Sequence, residues 1–339
     1  MNFLPNKILT GIVAIIALSL MTGWAEEETV YERPVPEGGG PTEVFCTMGI
    51  LDVDEISDAD QNFTVNLFAR VKWHDARLVH EGPGNLKRSL SEIWHPSLIF
   101  LNRQMIRSSA STVAEVSPGG MVSFKKQFWG NFSQPMNLHD FPFDQQSFGV
   151  QLVATGAEVG KDVVLLGDPD VPSFVTDSYS VADWKIIGNE VDTNPHVIPG
   201  VGEFASYKLV FTAKRLSYHH VIKIVAPLLL IVFLSQLVFW LSPSDGGSQL
   251  GVAVTSFLTV IAYHVALSSK LPEIAYLTKM DVFVFWGTIL VFLAMIEVVI
   301  TTGLAQRGKE RIAVRLDWIC RLVFPGLTIA GAFYAFVWH

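Results

Sequence analysis

The stretch "EFASYKLVFTAKRLSYHHVIKIVAPLLLIVFLSQLVFWL", residues Glu203–Leu241, changes character at its middle. Up to Arg215, polar and apolar residues alternate, which is typical of a half-buried β-strand. From Val221 to Leu241 the residues form one apolar run, interrupted by Pro227, that is long enough to cross a bilayer. This segment therefore predicts a β domain joined directly to a membrane domain.

Downstream of this junction, three further apolar runs follow. We predict four transmembrane helices at about 221–241, 248–271, 282–304 and 318–338. Each has enough residues to span roughly 30 Å of hydrocarbon. The connections between them are short, so the helices are expected to pack as a bundle.

Upstream of the junction, short alternating runs such as "FTVNLFARVKW" are separated by turn clusters such as "HEGPGN" and "SPGG". This spacing predicts an antiparallel β-sandwich, with a helical turn only around 89–93. The first 25 residues resemble a secretory signal, because Lys7 precedes a short apolar run that ends near small residues. The predicted organisation is a signal peptide at 1–25, an extracellular β domain at 26–217 and a transmembrane domain at 218–339.

Charge is distributed unevenly between the two domains. Residues 26–217 carry 26 acidic and 15 basic side chains, a net charge of −11, whereas residues 218–339 carry a net charge of +2. An acidic exterior attracts cations and argues against nucleic acid as a partner. The two cysteines, Cys46 and Cys320, fall in different domains and are interpreted as packing residues.

The second apolar run carries a stripe of small or medium-sized side chains at helical spacing. The members of this pore stripe are Ser248, Gly251, Thr255, Leu258, Ala262, Val265 and Ser269. Small residues let helices pack closely, but they also suit a pore wall, where an apolar ring gates by losing water. Periodicity does not separate these readings, and a pore requires several copies of the chain.

A resemblance to a known family favours the pore. "FPFDQQSF", from Phe141 to Phe148, resembles the signature loop of the pentameric ligand-gated ion channels, the Cys-loop receptor family. Further matches follow in the family's order and extend over most of the chain. They are "WHDARL", "IWHPSLIFLN", "KRLSYHHVIKIVAP", "PSDGG" and "LPEIAYLT".

Two departures from the family pattern are similar to its prokaryotic members. Gln134 and Phe148 occupy the likely positions of the loop disulfide, and the insert between the third and fourth spans is nearly absent. The fold implied by the resemblance is a β-sandwich extracellular domain on a four-helix transmembrane bundle. Five copies would form a homopentamer in a lipid bilayer, with the second helix of each copy lining a central pore.

The resemblance also implies roles for individual residues. It predicts that Arg215 pairs with Asp144 and Asp58 and couples ligand binding to the pore. Pro142 and Pro272 lie in the loops that match the family's coupling region. Leu258 is the expected gate. The acidic ring expected at Ser248 of cation-selective members is missing, but Asp245 lies nearby and the Pro-Ala-Arg segment of anion-selective members is absent. Permeant monovalent cations are therefore expected.

An agonist site is implied between subunits. Its expected residues are Phe68, Leu101, Thr155, His196 and Phe204, which together lack a full aromatic cage. An acetylcholine-like agonist is therefore not expected, whereas other amines, acids, protons and divalent cations remain open. Histidines in the coupling loop, the membrane entry and the pore helix make pH modulation a further hypothesis. They are His139, His219, His220 and His264.

Alternatives to this interpretation are an anion-selective channel of the same family, a non-conducting membrane receptor or scaffold, and a membrane-anchored enzyme. No nucleophile elbow, metal-binding spacing or phosphate loop supports the enzyme, and no cofactor or metal is predicted. The expected location is the cell (inner) membrane. The β domain and the C-terminus are placed outside, because Arg307, Lys309, Arg311 and Arg315 suit a cytoplasmic connection.

Overall fold

The structure, a computed structural model, describes residues 32–155, 161–268 and 274–338. The predicted signal peptide, Ser269 and Pro272 lie outside the described residues. The described part contains a β domain followed by four long helices, which is the architecture that the sequence predicted.

The β domain is a sandwich of two sheets. The larger sheet contains β1 (Thr42–Ser57), β2 (Asn62–His74), β3 (Leu86–Ser89), β5 (Arg103–Ser108), β6 (Val113–Val116), β7 (Met121–Ser133), β9 (Val163–Gly167) and β10 (Phe174–Val175). The smaller sheet contains β4 (Leu98–Phe100), β8 (Gln145–Ala154), β11 (Trp184–Asp192) and β14 (Ser206–Arg215). A separate hairpin is formed by β12 (His196–Ile198) and β13 (Gly202–Phe204).

The expectation of a wholly antiparallel sandwich was wrong for two strands. Strands β9 and β10 each run in the same direction as β1 and pair with it in parallel. Within the core, the aromatic rings of Phe63 and Phe211 join the two sheets edge to face, with centroids 5.6 Å apart. Cys46 is fully buried, and burial followed by the charge of Asp168 raises the pKa of its thiol to about 12. Such a thiol is a packing group rather than a nucleophile.

Within the described residues, four helices are long and apolar enough to span a membrane. They are α1 (Tyr218–Trp240), α2 (Gly246–Ser268), α3 (Lys279–Gln306) and α4 (Glu310–Phe333), the last extended by a wider turn at Tyr334–Trp338. Helices α3 and α4 begin earlier than the apolar runs indicated, because polar first turns precede them. Thr278 and Asp281 form a capping box at the start of α3, and α4 begins in the charged segment at Glu310.

Helix α1 contains a widened turn at Val221–Val225, directly before Pro227. Proline lacks an N–H donor, and its ring crowds the carbonyl group four residues earlier, so a wider turn relieves the crowding. Helix α1 begins at Tyr218, and two residues separate it from the end of β14, so the connection between the sandwich and the membrane domain is short.

Candidate functional site

Arg215, the last residue of β14, lies between two carboxylates at the junction of the domains. Its Nε and Nη2 donate to the two oxygens of Asp144 at 2.7 and 3.2 Å, and its Nη1 and Nη2 donate to Asp58 at 2.8 and 2.7 Å. Asp144 comes from the loop before β8, and Asp58 follows β1. We call these three residues the junction cluster. It ties three separate segments together through paired, charge-assisted hydrogen bonds.

Aromatic rings enclose the guanidinium group of Arg215. Its central carbon lies 4.1 Å from the ring centroid of Trp184 and 4.9 Å from that of Phe141. Burial alone would lower the pKa of Arg215, but hydrogen bonds from this residue to Asp144 and Asp58 raise it overall. The cation is therefore permanent, and removing it would leave two carboxylates with no counter-charge at a buried site.

The loop that carries Asp144 also contacts the membrane domain. The hydroxyl of Tyr276 accepts a hydrogen bond from the amide of Leu138 at 2.9 Å, and the ring of Tyr276 stacks on His139 at 3.9 Å. Lys279 forms an ion pair with Asp140 at 2.9 Å. Sequence reasoning missed Tyr276 and Lys279 as site residues, although Tyr276 belongs to the quoted segment "LPEIAYLT".

The same loop contacts the start of α1. Ser217 donates to the carbonyl oxygen of Pro142 at 2.6 Å, and the peptide bond before Pro142 is cis. The loop thus contacts both the chain entering α1 and the start of α3.

The pore stripe lies on the outward face of α2. Every member within the described residues is exposed in the single chain, and Leu258 and Val265 are 61% and 66% exposed. The opposite face is buried against the rest of the bundle through Ala253, Ser256 and Val260. Close packing inside one subunit therefore uses the other face of α2. The pore stripe remains available for water or for neighbouring copies.

Hydroxyl groups on the pore stripe and beside it form hydrogen bonds within the helix. Thr255 donates to the carbonyl oxygen of Gly251 at 2.7 Å, and Thr259 donates to that of Thr255 at 2.7 Å. Asp245 precedes the first turn of α2, and its carboxylate accepts from the amide of Ser248 at 3.4 Å. Asp245 is exposed and can therefore serve both as a helix cap and as a charge at the end of the pore stripe.

The five expected ligand residues fall into two groups, one beside the smaller sheet and on the β12–β13 hairpin, and the other on the larger sheet. The amide of Leu101 donates to the carbonyl oxygen of Gln151 at 2.9 Å, and the side-chain nitrogen of Gln151 lies 3.2 Å from Nδ1 of His196. Gln151 thus links Leu101 to His196. His196 pairs with Phe204 across the β12–β13 hairpin. Thr155 lies at the end of β8 and donates to the carbonyl oxygen of Ser97 at 3.1 Å.

Phe68 belongs to the other group, on β2 of the larger sheet. It lines a groove of about 600 Å³ whose charged members are Arg70, Lys87, Glu115, Lys125 and Lys126. Four of these five charges are positive, although the β domain as a whole is acidic. Sequence reasoning missed this basic groove, because its members lie on four strands and meet only in the folded sheet.

One cation of the groove is already engaged. Asp168, which is buried, accepts from Arg70 at 2.9 Å and lies 2.7 Å from the ammonium group of Lys72. Burial alone would raise the pKa of Asp168, but the hydrogen bond from Lys72 and the charges of both cations lower it overall. This cluster fixes the orientation of Arg70 at the edge of the groove.

Comparisons with known proteins agree with this arrangement. The family model described as "Neurotransmitter-gated ion-channel ligand binding domain" matches residues 19–155. The model described as "Neurotransmitter-gated ion-channel transmembrane region" matches residues 224–323. The chain belongs to the Cys-loop family of pentameric ligand-gated ion channels. It is therefore a multi-pass membrane protein of a channel family, and not an enzyme.

Curated relatives of this Cys-loop family chain include gamma-aminobutyric acid receptor subunits. Subunit alpha-2 of Rattus norvegicus and that of Homo sapiens are each 27% identical to it over 282 residues, covering 80% of this chain and 62% of the relative. Subunit beta-4 of Gallus gallus is 25% identical over 278 residues, covering 77% of this chain and 55% of the relative. The chain thus spans less than two thirds of the length of these relatives.

Proposed function

We propose that this chain is the subunit of a homopentameric ligand-gated ion channel whose pore is lined by α2. The observation that carries the proposal is the orientation of the pore stripe, which faces away from its own subunit and leaves Leu258 61% exposed. Five such stripes around an axis would enclose a pore with hydroxyl groups along its wall and an apolar ring at Leu258. Leu258 is proposed as the gate, with Ala262 and Val265 beyond it.

The junction cluster is proposed to couple the β domain to the pore. Asp144 reaches Arg215 from a loop that also contacts Tyr276 and the start of α3. A displacement of the sandwich would therefore be transmitted to the membrane domain through fixed charges rather than through a flexible linker. Pro142 and Pro272 belong to this proposal by their place in the sequence.

An agonist is proposed to bind where two subunits meet, between the two groups of ligand residues. The three lysines near Phe68 favour an agonist that carries a carboxylate or another negative group. Gamma-aminobutyric acid carries a carboxylate and appears in the names of the relatives, so it is one such probe. The pocket that would include Leu101, Thr155, His196 and Phe204 is completed only by the second subunit.

Cation selectivity is proposed on charge alone. The net charge of −11 on residues 26–217 and the exposed carboxylate of Asp245 both raise the local concentration of cations near the pore. The domain boundaries at 25 and 217, with the β domain and the C-terminus outside the cell membrane, remain part of the proposal. The basic connection between α3 and α4 supports this orientation.

Modulation by pH is also proposed, through the histidines of the coupling region. His139 stacks on Tyr276, and His219 and His220 line a cavity of about 230 Å³ together with Asp58 and Lys223. Charging an imidazole beside these groups would change the electrostatics of the junction.

Recording from purified protein in planar bilayers tests the proposal. Currents are expected on addition of small carboxylates, amines or protons, with a reversal potential near that of sodium in a sodium chloride gradient. A reversal potential near that of chloride would replace cation selectivity by anion selectivity. Absence of current under all these conditions, from a preparation shown to be pentameric, would favour the non-conducting receptor or scaffold.

A further inference from the structure

A second pair of buried carboxyl groups lies inside the membrane domain. Glu297 of α3 and Asp317 of α4 are 7% and 1% exposed, and their carboxyl groups lie close enough to interact with each other. Neither carboxylate receives a hydrogen bond from the protein. Two ionised carboxylates in contact and away from water would repel each other without compensation.

The surrounding cation does not neutralise this pair. Arg321 of α4 acts on Asp317 only at longer range, because its Nε donates to the carbonyl oxygen of Phe239 at 2.8 Å and its guanidinium lies 5.5 Å from the ring centroid of Trp240. Cys320, which is buried, is the other titratable group near the pair among the described residues. No described side chain therefore supplies the missing positive charge within ion-pair distance.

Gln249 provides an independent observation on the pore helix. Its side chain is fully buried and faces Asp317, and its Nε2 donates to the carbonyl oxygens of Val238 and Leu241 at 3.2 and 3.1 Å. Its Oε1 has no donor. The buried oxygens of Gln249 on α2, Glu297 on α3 and Asp317 on α4 thus all lack a hydrogen-bond donor.

We propose that Glu297 and Asp317 together bind one proton, held between their carboxyl groups. This proton stabilises the packing of α4 against α3 near the N-terminal end of α2. A shared proton converts a repulsive contact into a carboxyl–carboxylate hydrogen bond and leaves one negative charge. Loss of the proton leaves two negative charges in contact and weakens the packing of α4. Because Gln249 faces Asp317 and directly follows Ser248 of the pore stripe, a change in the charge of the pair would also act on α2.

This site is separate from the histidines of the junction and does not depend on conduction. Its ligand is a proton, and its readouts are spectroscopic and thermal. Failure of the channel proposal would leave the site intact, and failure of the site would leave the channel proposal intact.

Infrared spectroscopy of the full-length protein in lipid nanodiscs tests the proposal. The wild type is expected to show the carbonyl band of a buried protonated carboxyl group at neutral pH, and this band should disappear as pH rises. In Glu297→Gln the amide donates to Asp317 in place of the proton, so the band should be lost. The matched control Glu310→Gln changes an exposed carboxyl group on α4 and should keep the band.

Thermal unfolding gives a second readout. Because the folded protein would hold one proton more than the unfolded chain, the unfolding equilibrium of the wild type should shift towards unfolding, by up to tenfold per pH unit, as pH rises through the titration. Glu297→Gln should remove this dependence. If that variant does not fold, Asp317→Asn should give the same result, because its amide can donate to Glu297.

Three results would overturn the proposal. One is the absence of the carbonyl band from the wild type between about pH 5 and 8, where an unperturbed carboxyl group is largely ionised. Another is a pH dependence of unfolding that Glu297→Gln and Asp317→Asn leave unchanged. The last is stabilisation of the wild type, but not of Glu297→Gln, by added calcium or sodium, which would assign the site to a metal ion instead.

Discussion

Two pairs of carboxyl groups in the described part of the chain differ in whether a cation accompanies them. At the junction, Asp58 and Asp144 share the guanidinium of Arg215, which bonds to both oxygens of each. In the membrane domain, Glu297 and Asp317 meet with no cation between them and no donor from the protein. The first arrangement is a permanent connection, whereas the second depends on a proton that the solution can remove.

The largest expected effect comes from removing the cation of the junction cluster. Arg215→Ala leaves two carboxylates without a counter-charge and should destabilise the assembled protein by about 3–5 kcal/mol. We expect loss of the pentamer or a marked fall in the unfolding temperature, measured on the purified full-length protein. Lys214→Ala, which removes the exposed neighbouring cation, is the matched control and should behave as the wild type. If Arg215→Ala and Lys214→Ala had the same unfolding temperature and the same oligomeric state, the junction cluster would not stabilise the protein.

The two carboxylates of this cluster should not be equivalent. The side chain of Asp144 is 2% exposed and that of Asp58 is 19% exposed, so water can compensate more of the loss at Asp58. Asp144→Asn is therefore expected to lower the unfolding temperature more than Asp58→Asn does. The reverse order would mean that the loop after β1 carries more of the stabilisation than its exposure indicates.

A smaller effect is expected at the Asp168 cluster, where the cations are partly exposed. The pKa of Asp168 is lowered in the folded protein, so the stability that it contributes is present above its unfolded pKa and is lost as pH falls through the folded value. Below about pH 4, the wild type should lose this contribution. Asp168→Asn should be less stable at neutral pH and should show a shallower fall in acid. Parallel acid denaturation curves would contradict this assignment.

The sequence predicted the four spans and the sandwich. It did so because apolar length and alternation are local properties that depend on neighbouring residues. The parallel pairing of β9 and β10 with β1 was not predictable in this way, because it depends on crossovers between distant segments. The early starts of α3 and α4 escaped detection because their polar first turns lie outside the apolar runs.

Among the candidate sites, the position of the pore stripe followed from helical spacing, and Arg215 followed from a family motif. The basic groove beside Phe68 did not, since Lys87, Lys125 and Lys126 are separated in sequence and converge only across paired strands. Glu297 and Asp317 were also missed. Glu297 is a single charge inside the third apolar run, and Asp317 immediately precedes the fourth, so only the packing of α4 on α3 brings them together.

The central claim, that α2 lines a pore gated at Leu258, is tested most directly by recording wild type, Leu258→Thr and Leu250→Thr side by side in planar bilayers. Leu250 undergoes the same chemical change and is 43% exposed, but it lies outside the pore stripe. Hydrating the ring at Leu258 should favour the open state by at least ~1.4 kcal/mol, a tenfold change in the closed–open equilibrium. We predict leak current, or a left-shifted response, in Leu258→Thr only. Unchanged currents in Leu258→Thr, from protein shown to be pentameric, would contradict the claim.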